Sequence, residues 1–145
     1  MNMGFSGRTA VVTGASQGLG AAIARVLARE GATVCLIARS EAALGEVAAG
    51  IRDEGGTAHV CPADLSSIDD IARVSGECLA LFPKLHALVN CAGATKRGDF
   101  FELTDQDWAD GFGLKFQAAV RLSRALWPGL KAAGGSIVNI AGLGG

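Results

Sequence analysis

Thr13-Gly14-Ala15-Ser16-Gln17-Gly18-Leu19-Gly20 is the stretch that decides the fold. It follows the apolar run Thr9-Ala10-Val11-Val12, which reads as a buried strand, and it opens a helical pattern from about Leu19 to Glu30. Ile23, Val26 and Leu27 share one face of that pattern. A strand that turns through glycines directly into a helix suits the pyrophosphate of a dinucleotide. Gly14 allows the sharp turn out of the strand, Gly18 lets the backbone approach the pyrophosphate, and Gly20 lets the helix pack closely. N–H groups of the first helical turn have no intrahelical acceptor, and with the helix dipole they favour an anion. A glycine turn that only packs would use the same residues, so its surroundings decide its meaning.

Outward from this loop, strand and helix patterns alternate. Gly31 stops the first helix and Thr33-Val34-Cys35-Leu36-Ile37 forms a second strand. Leu44, Val47, Ala48 and Ile51 follow the i, i+3, i+4, i+7 spacing of a second helix, which Gly55-Gly56 ends. Ala58 to Cys61 is a short third strand. Ser66 with Asp69 has the form of a capping box for a third helix, whose face is Ile68, Ile71, Cys78, Leu79 and Phe82. Leu85 to Asn90 reads as a fourth strand. Thr104 with Asp107 caps a long fourth helix running towards Lys131, Gly134-Gly135 ends it, and Ser136 to Ala141 is a fifth strand. This alternation predicts an α/β fold: a doubly wound, Rossmann-type parallel sheet of five strands with helices on both faces. Residues 1–145 form one domain, with no internal repeat, low-complexity tract or linker.

Composition narrows the function. Half of the 145 residues are hydrophobic and 19% are charged, which is the balance of a globular domain. Thirteen basic and 14 acidic side chains leave a net charge of −1, without the clustered basic surplus of a nucleic-acid binder. No stretch approaches 18 uncharged apolar residues, so no membrane span is expected. Met1 to Gly7 has no basic segment leading into an apolar one, so no secretory signal is expected and a cytoplasmic location is the default. Cys35, Cys61, Cys78 and Cys91 show no C-x-x-C spacing, and three of them lie in or beside apolar strand runs. They read as buried reduced thiols, with no metal site expected. His59 and His86 are isolated and read as structural or surface residues.

The pattern Thr-Gly-x-x-x-Gly-x-Gly resembles the short-chain dehydrogenase/reductase family, and three further stretches fit in order. Ala63-Asp64-Leu65 is similar to the family segment whose Asp contacts the adenine amino group. Asn90-Cys91-Ala92-Gly93 is similar to its Asn-Ala-Gly segment beside the adenosine and nicotinamide ribose. Gly135-Ser136-Ile137-Val138-Asn139-Ile140 is similar to its fifth strand. The resemblance runs from about Gly7 to Gly145. It implies an oxidoreductase that moves hydride between a nicotinamide cofactor and a small carbonyl or alcohol substrate. The cofactor-binding set is then Gly14, Ser16, Gln17, Gly18, Leu19, Gly20, Arg39, Asp64, Leu65, Asn90, Ala92 and Gly93. At the end of the second strand, Ile37-Ala38-Arg39-Ser40 offers no acid to a ribose 2′-OH but an arginine to a 2′-phosphate. NADP is therefore expected, with NAD the alternative, because Gln17 stands where many NADP-binding relatives carry Arg or Lys.

The family's catalytic groups are an Asn in the fourth helix, a Ser after the fifth strand and a Tyr-x-x-x-Lys pair beyond it. This chain has no tyrosine, and its asparagines are Asn2, Asn90 and Asn139. Aligned without gaps between Trp108 and Pro128, the Asn position falls on Lys115, and the Ser position falls on Gly142. Catalytic residues are therefore unassigned, with Lys115 either taking over polar work at the site or standing as a solvated helix lysine. Three readings remain open. The chain is part of a longer enzyme, incomplete at its C-terminus, whose apolar edge strand needs a cover. Alternatively it is a non-catalytic NAD(P)-binding sensor or partner protein, or it belongs to another dinucleotide enzyme class. Trp108, Phe112 and Phe116 fit either a dimer face, in a full-length homo-oligomer, or the core of the monomer.

Overall fold

A computed structural model of the chain describes residues 3–93 and 96–141. Five strands alternate with helices: β1 (Thr9–Thr13), α1 (Gly18–Arg29), β2 (Thr33–Ala38), α2 (Glu41–Asp53), β3 (Thr57–Pro62), α3 (Ile68–Leu81) and β4 (Ala87–Asn90). Then follow α4 (Asp105–Phe112), a π-helical turn (Gly113–Gln117), α5 (Ala118–Ala125), α6 (Trp127–Ala133) and β5 (Ser136–Asn139). All pairings are parallel, in the order β3-β2-β1-β4-β5. The sheet thus grows to one side of β1 through β2 and β3 and to the other through β4 and β5. This is the doubly wound topology that the alternating pattern predicts.

The central strands are apolar on both faces, as a parallel sheet covered by helices requires. Val12, Val34 and Leu36 face α1 and α2, while Val11, Cys35, Ile37 and Leu88 face α3, α5 and α6. The expected face of α2 is confirmed, since Leu44, Val47, Ala48 and Ile51 are all buried. On α1 the expectation is corrected. Its buried stripe is Gly20, Ala21, Ala24 and Ala28; Ile23 and Leu27 pack only at the flank, and Val26 is 47% exposed. Small side chains let this helix settle close to the sheet, so size rather than hydrophobicity selects the inward face.

Several boundaries also differ from the sequence reading. The cap of α3 is Ser67, whose hydroxyl accepts the Asp70 N–H, and not Ser66 with Asp69. Ser-x-x-Asp occurs in both frames, and Ser66 is engaged elsewhere, giving its N–H and hydroxyl to Asp64. β4 begins at Ala87 rather than Leu85, and β5 ends at Asn139 rather than Ala141. The long fourth helix is interrupted twice, first by the π-turn and then between α5 and α6. Pro128 sits in the first turn of α6, where its missing N–H is tolerated; inside a continuous helix it would remove a hydrogen bond and clash with the preceding turn. The capping box of Thr104 and Asp107 is present as expected.

Trp108, Phe112 and Phe116 are 44%, 58% and 63% exposed, so they do not join the core that the described residues form. Their helix instead uses Ala118 and Leu122 to reach the core. Among the described residues, no helix is long and apolar enough to cross a membrane. His86 is structural, its Nδ1 accepting the Thr9 N–H at 3.1 Å.

Leu122 is fully buried against α3 and the sheet, so Leu122→Ala should destabilise the fold by about 2–5 kcal/mol. Val26→Ala, on the exposed side of α1, should change stability by less than about 0.5 kcal/mol. Denaturant unfolding of both variants checks the assignment, and similar losses would contradict it.

Candidate dinucleotide site

The C-terminal ends of β1 and β4 are where chain order reverses, and two loops diverge there. In open α/β sheets this switch point is where ligands bind. Thr13, the last residue of β1, is buried, and its Oγ1 accepts the N–H groups of Cys91 (3.0 Å) and Ala92 (2.9 Å). One hydroxyl thus ties the glycine loop to the loop after β4. Sequence reading placed Thr13 at the head of the motif but did not give it this role; a polar residue ending an otherwise apolar strand was the available signal.

Glycine is required at two points by close approach. A Cβ on Gly14, where φ is +62°, would come within 2.8 Å of the Cys91 carbonyl oxygen. A Cβ on Gly20 would collide with the backbone carbonyl of Gly14. The first turn of α1 therefore rests directly on the loop that precedes it. Gly18 differs: its φ is +57°, and a Cβ there would meet nothing within 4 Å. Open space lies over the start of α1. Gln17 occupies the N-cap without a capping side-chain hydrogen bond, and Gln17, Gly18 and Leu19 are all exposed. Ser16 is half-buried between them and Ala15, which is buried and held to β2 by its N–H to the Ile37 carbonyl, 3.3 Å.

Arg39 follows β2 and Asp64 follows β3. Arg39 is exposed and makes no hydrogen bond or ion pair among the described residues. Asp64 Oδ1 accepts the Ser66 hydroxyl at 2.6 Å and the Ser66 N–H at 3.0 Å, while the Asp64 N–H donates to Asp70 Oδ2 at 2.7 Å. The Ser66 hydrogen bonds hold the Asp64 carboxyl below the usual carboxylate range, and the charge of Arg39 acts in the same direction. Leu65, beside it, is buried in the core rather than open to the site.

On the other side of the switch point, Asn90 is buried and its Nδ2 donates to Asn139 Oδ1 (2.9 Å) and Ser123 Oγ (3.4 Å). Ala92 is held by Thr13. Gly93 lies under Lys115, because a Cβ on Gly93 would come within 2.6 Å of Lys115 Cγ and 2.7 Å of its Cε. Only glycine allows that stem to lie across the loop. Lys115 comes from the π-turn, a form that recurs at functional sites. Asn90, Lys115, Phe116, Ser123 and Asn139 line one open groove. Gly142, where the resemblance puts the family's Ser, lies outside the described residues.

The sequence-derived set thus divides in space. Gly14 to Gly20 with Arg39 and Asp64 lie along the β1–β2–β3 ends. Asn90, Ala92 and Gly93 lie across the switch point, joined to the first group by Thr13. A doubly wound sheet with a glycine turn at its switch point defines the class of dinucleotide-fold α/β proteins. Within it the chain belongs to the short-chain dehydrogenase family, whose model matches residues 8–145.

Individual relatives agree. The chain is 37% identical over 141 residues to a fatty acyl-CoA reductase of Acinetobacter baylyi, covering 95% of this chain and 48% of that protein. It superposes with a TM-score of 0.90 and 39% identity on a metagenomic short-chain oxidoreductase solved in complex with NADP, covering 97% of this chain and 64% of the other. With L-sorbose reductase from Gluconobacter frateurii, complexed with NADPH and L-sorbose, the TM-score is 0.89 at 37% identity, covering 94% and 53%. The chain spans about half the length of the curated relatives it matches.

Thr13→Val keeps the shape of the side chain and removes the acceptor for two N–H groups. Each buried donor left without a partner costs about 1–3 kcal/mol, so unfolding should shift by at least that much. Thr13→Ser should retain most of the stability. Equal behaviour of the two variants in urea unfolding would show that the bridge is dispensable.

Proposed function

We propose that the chain is the nucleotide-binding part of an NADP-dependent oxidoreductase that interconverts a small carbonyl compound and its alcohol. The open space over Gly18, set against an uncapped helix start, carries this reading. The residues present fit a dinucleotide there: free N–H groups and the dipole of α1 favour the pyrophosphate, and no side chain blocks its approach. Ser16, Gln17 and Leu19 border the same space. Arg39 would take the 2′-phosphate through charge-assisted hydrogen bonds and Asp64 the adenine amino group, with Leu65 shaping the core beneath. Asn90, Ala92 and Gly93 would border the ribose next to the nicotinamide. When bound, the cofactor supplies the hydride. NADP or NADPH bound to the solved relatives supports the choice of phosphate over NAD.

The family's usual proton-transfer groups are not among these 145 residues, since the chain has no tyrosine and, aligned without gaps, Lys115 falls at the family's Asn position. The family's general acid and the substrate pocket are accordingly assigned to a longer protein. The exposed aromatic face of Trp108, Phe112 and Phe116 would serve its self-association. The alternative, a cofactor-binding relative without chemistry, is favoured by Lys115 in place of Asn.

Gly18→Val should abolish NADPH binding, because its side chain projects into the open space and a β-branched residue is strained at the +57° φ of Gly18, while helix content by circular dichroism stays nearly constant. Arg39→Glu should weaken NADP binding at least about tenfold and affect NAD less, since it sets a negative charge against the 2′-phosphate. Equal loss for both cofactors in a fluorescence titration would assign Arg39 to loop support only.

A positioned general acid contributes roughly 10²–10⁴-fold to rate. The 145-residue chain should therefore bind NADPH without consuming it in the presence of ketones, aldehydes or quinones, followed by absorbance. Turnover by a longer chain bearing Tyr-x-x-x-Lys would support the enzyme reading. Inertness of both would favour the non-catalytic relative, and turnover by this chain alone would overturn the assignment of the chemistry.

A further inference from the structure

The groove beside the loop after β4 carries charge of one sign. Lys96, Arg97, Lys115 and Arg124 line it, and among the described residues no Asp or Glu does, although the chain holds 13 basic and 14 acidic side chains. Lys96 is matched from outside the groove, its Nζ 3.3 Å from Asp107 Oδ2, an atom that also accepts the Thr104 N–H. Arg97 and Lys115 are exposed and make no hydrogen bond or ion pair among the described residues. An exposed cation is ordinarily just solvated. Lys115 differs in how it is held: its stem crosses the loop at Gly93, where only a glycine leaves room for it. A side chain pinned along its stem loses less freedom when its ammonium meets a ligand. The charge of Lys115 is also felt within the loop, since burial raises the Cys91 thiol and Lys115 opposes that rise.

We propose that this groove selects an anionic substrate, a carbonyl compound bearing a carboxylate or a phosphate, with Lys115 as the residue that holds the anion and Arg97 adding to the field. The inference rests on the reading of the chain as the cofactor-binding part of a carbonyl reductase, and it supplies the charge of the substrate. Asn90, given above to the ribose next to the nicotinamide, lines the same groove, and Lys115 lies across Gly93. An anion on the ammonium would therefore stand beside the reacting end of the cofactor. Clefts lined by one sign of charge focus the field and concentrate ions of the other sign. An ammonium also offers three rotatable donors, which suit the oxygens of either anion. A neutral ketone would leave both cations to water and draw no advantage from them. Lys115 is thus a specificity residue, separate from the proton-transfer groups that a longer chain would supply.

Ligand-detected NMR titrations of the chain, with and without NADP, test the preference on two matched pairs: levulinate against methyl levulinate, and dihydroxyacetone phosphate against dihydroxyacetone. At least one anion should bind about tenfold or more tightly than its neutral partner, the size of one charge-assisted hydrogen bond. The pair with the larger ratio identifies the anion as carboxylate or phosphate. Lys115→Gln should bring that ratio close to one, and Arg97→Gln should lower it by a smaller factor. Lys84→Gln removes the same charge ahead of β4, at the opposite end of the sheet, and should leave the ratio unchanged. Raising the ionic strength from about 0.01 to 1 M, which shortens the Debye length from about 30 to 3 Å, should shrink it. Equal binding within both pairs, or no binding of either anion, would overturn the proposal. So would a ratio that survives Lys115→Gln, and weaker NADPH binding in that variant would then assign the ammonium to the cofactor. A separate NADPH titration keeps the two readings apart. NADPH bound without a charge preference removes this inference alone, whereas a charge preference without NADPH binding removes the oxidoreductase reading and keeps the anion site.

Discussion

The hydroxyl of Thr13 holds together what the topology would pull apart. At the switch point β1 and β4 send their loops in different directions, and the backbone N–H groups of Cys91 and Ala92 would face a buried position without an acceptor. One side chain satisfies both. Because those loops meet, the Gly14 position is crowded by the Cys91 carbonyl, and Gly20 is crowded in turn by Gly14. Three of the motif's residues are therefore fixed by a single local problem, the close meeting of loop, loop and helix. Gly18 alone among the motif's glycines is left with open space beside it, and that exception is what the proposed ligand position rests on.

The consequence for function is a separation of tasks along the sheet. In the proposed reading the binding groups come from the ends of β1, β2 and β3, where backbone donors, Arg39 and Asp64 are presented by short loops. The groups nearest the reacting end come from β4, β5 and the interrupted helix, where Asn90 is locked to Asn139 and Ser123. A network of neutral amides and a hydroxyl can hold a ribose or order a loop, but it has little acid strength. Lys115 is the exception, a cation laid across Gly93 by its stem. It sets a charge where gap-free alignment with the family pattern has a neutral Asn.

Most of the architecture was legible in the sequence because parallel strands and their helices carry different periods. Short apolar runs marked all five strands, and glycines at Gly31, Gly55 and Gly134 marked helix ends where the chain adopts positive φ. What escaped notice depended on contacts between distant segments. The inward face of α1 is set by alanines, since distance to the sheet governs it, and a hydrophobicity pattern points instead to Val26. Ser66 and Ser67 offered the same cap, and only the Asp64 side chain decides between them. Of the candidate site, the glycine loop and Arg39 could be singled out directly, because the roles proposed for them rest on local backbone and charge. The Thr13 bridge, the Asn90 network and the Gly93–Lys115 contact required the fold.

The π-turn at Gly113–Gln117 gives the helix a property of its own. Such a turn is an α-helix that has taken in one surplus residue. Each residue advances an α-helix by about 100°, so α4 and α5 are out of phase with each other by the width of that surplus. Removing one residue would close the turn and rotate the Trp108 face about the axis, while Leu122 stayed seated in the core. A change of length by a single codon could thus re-aim an entire surface without unfolding either half.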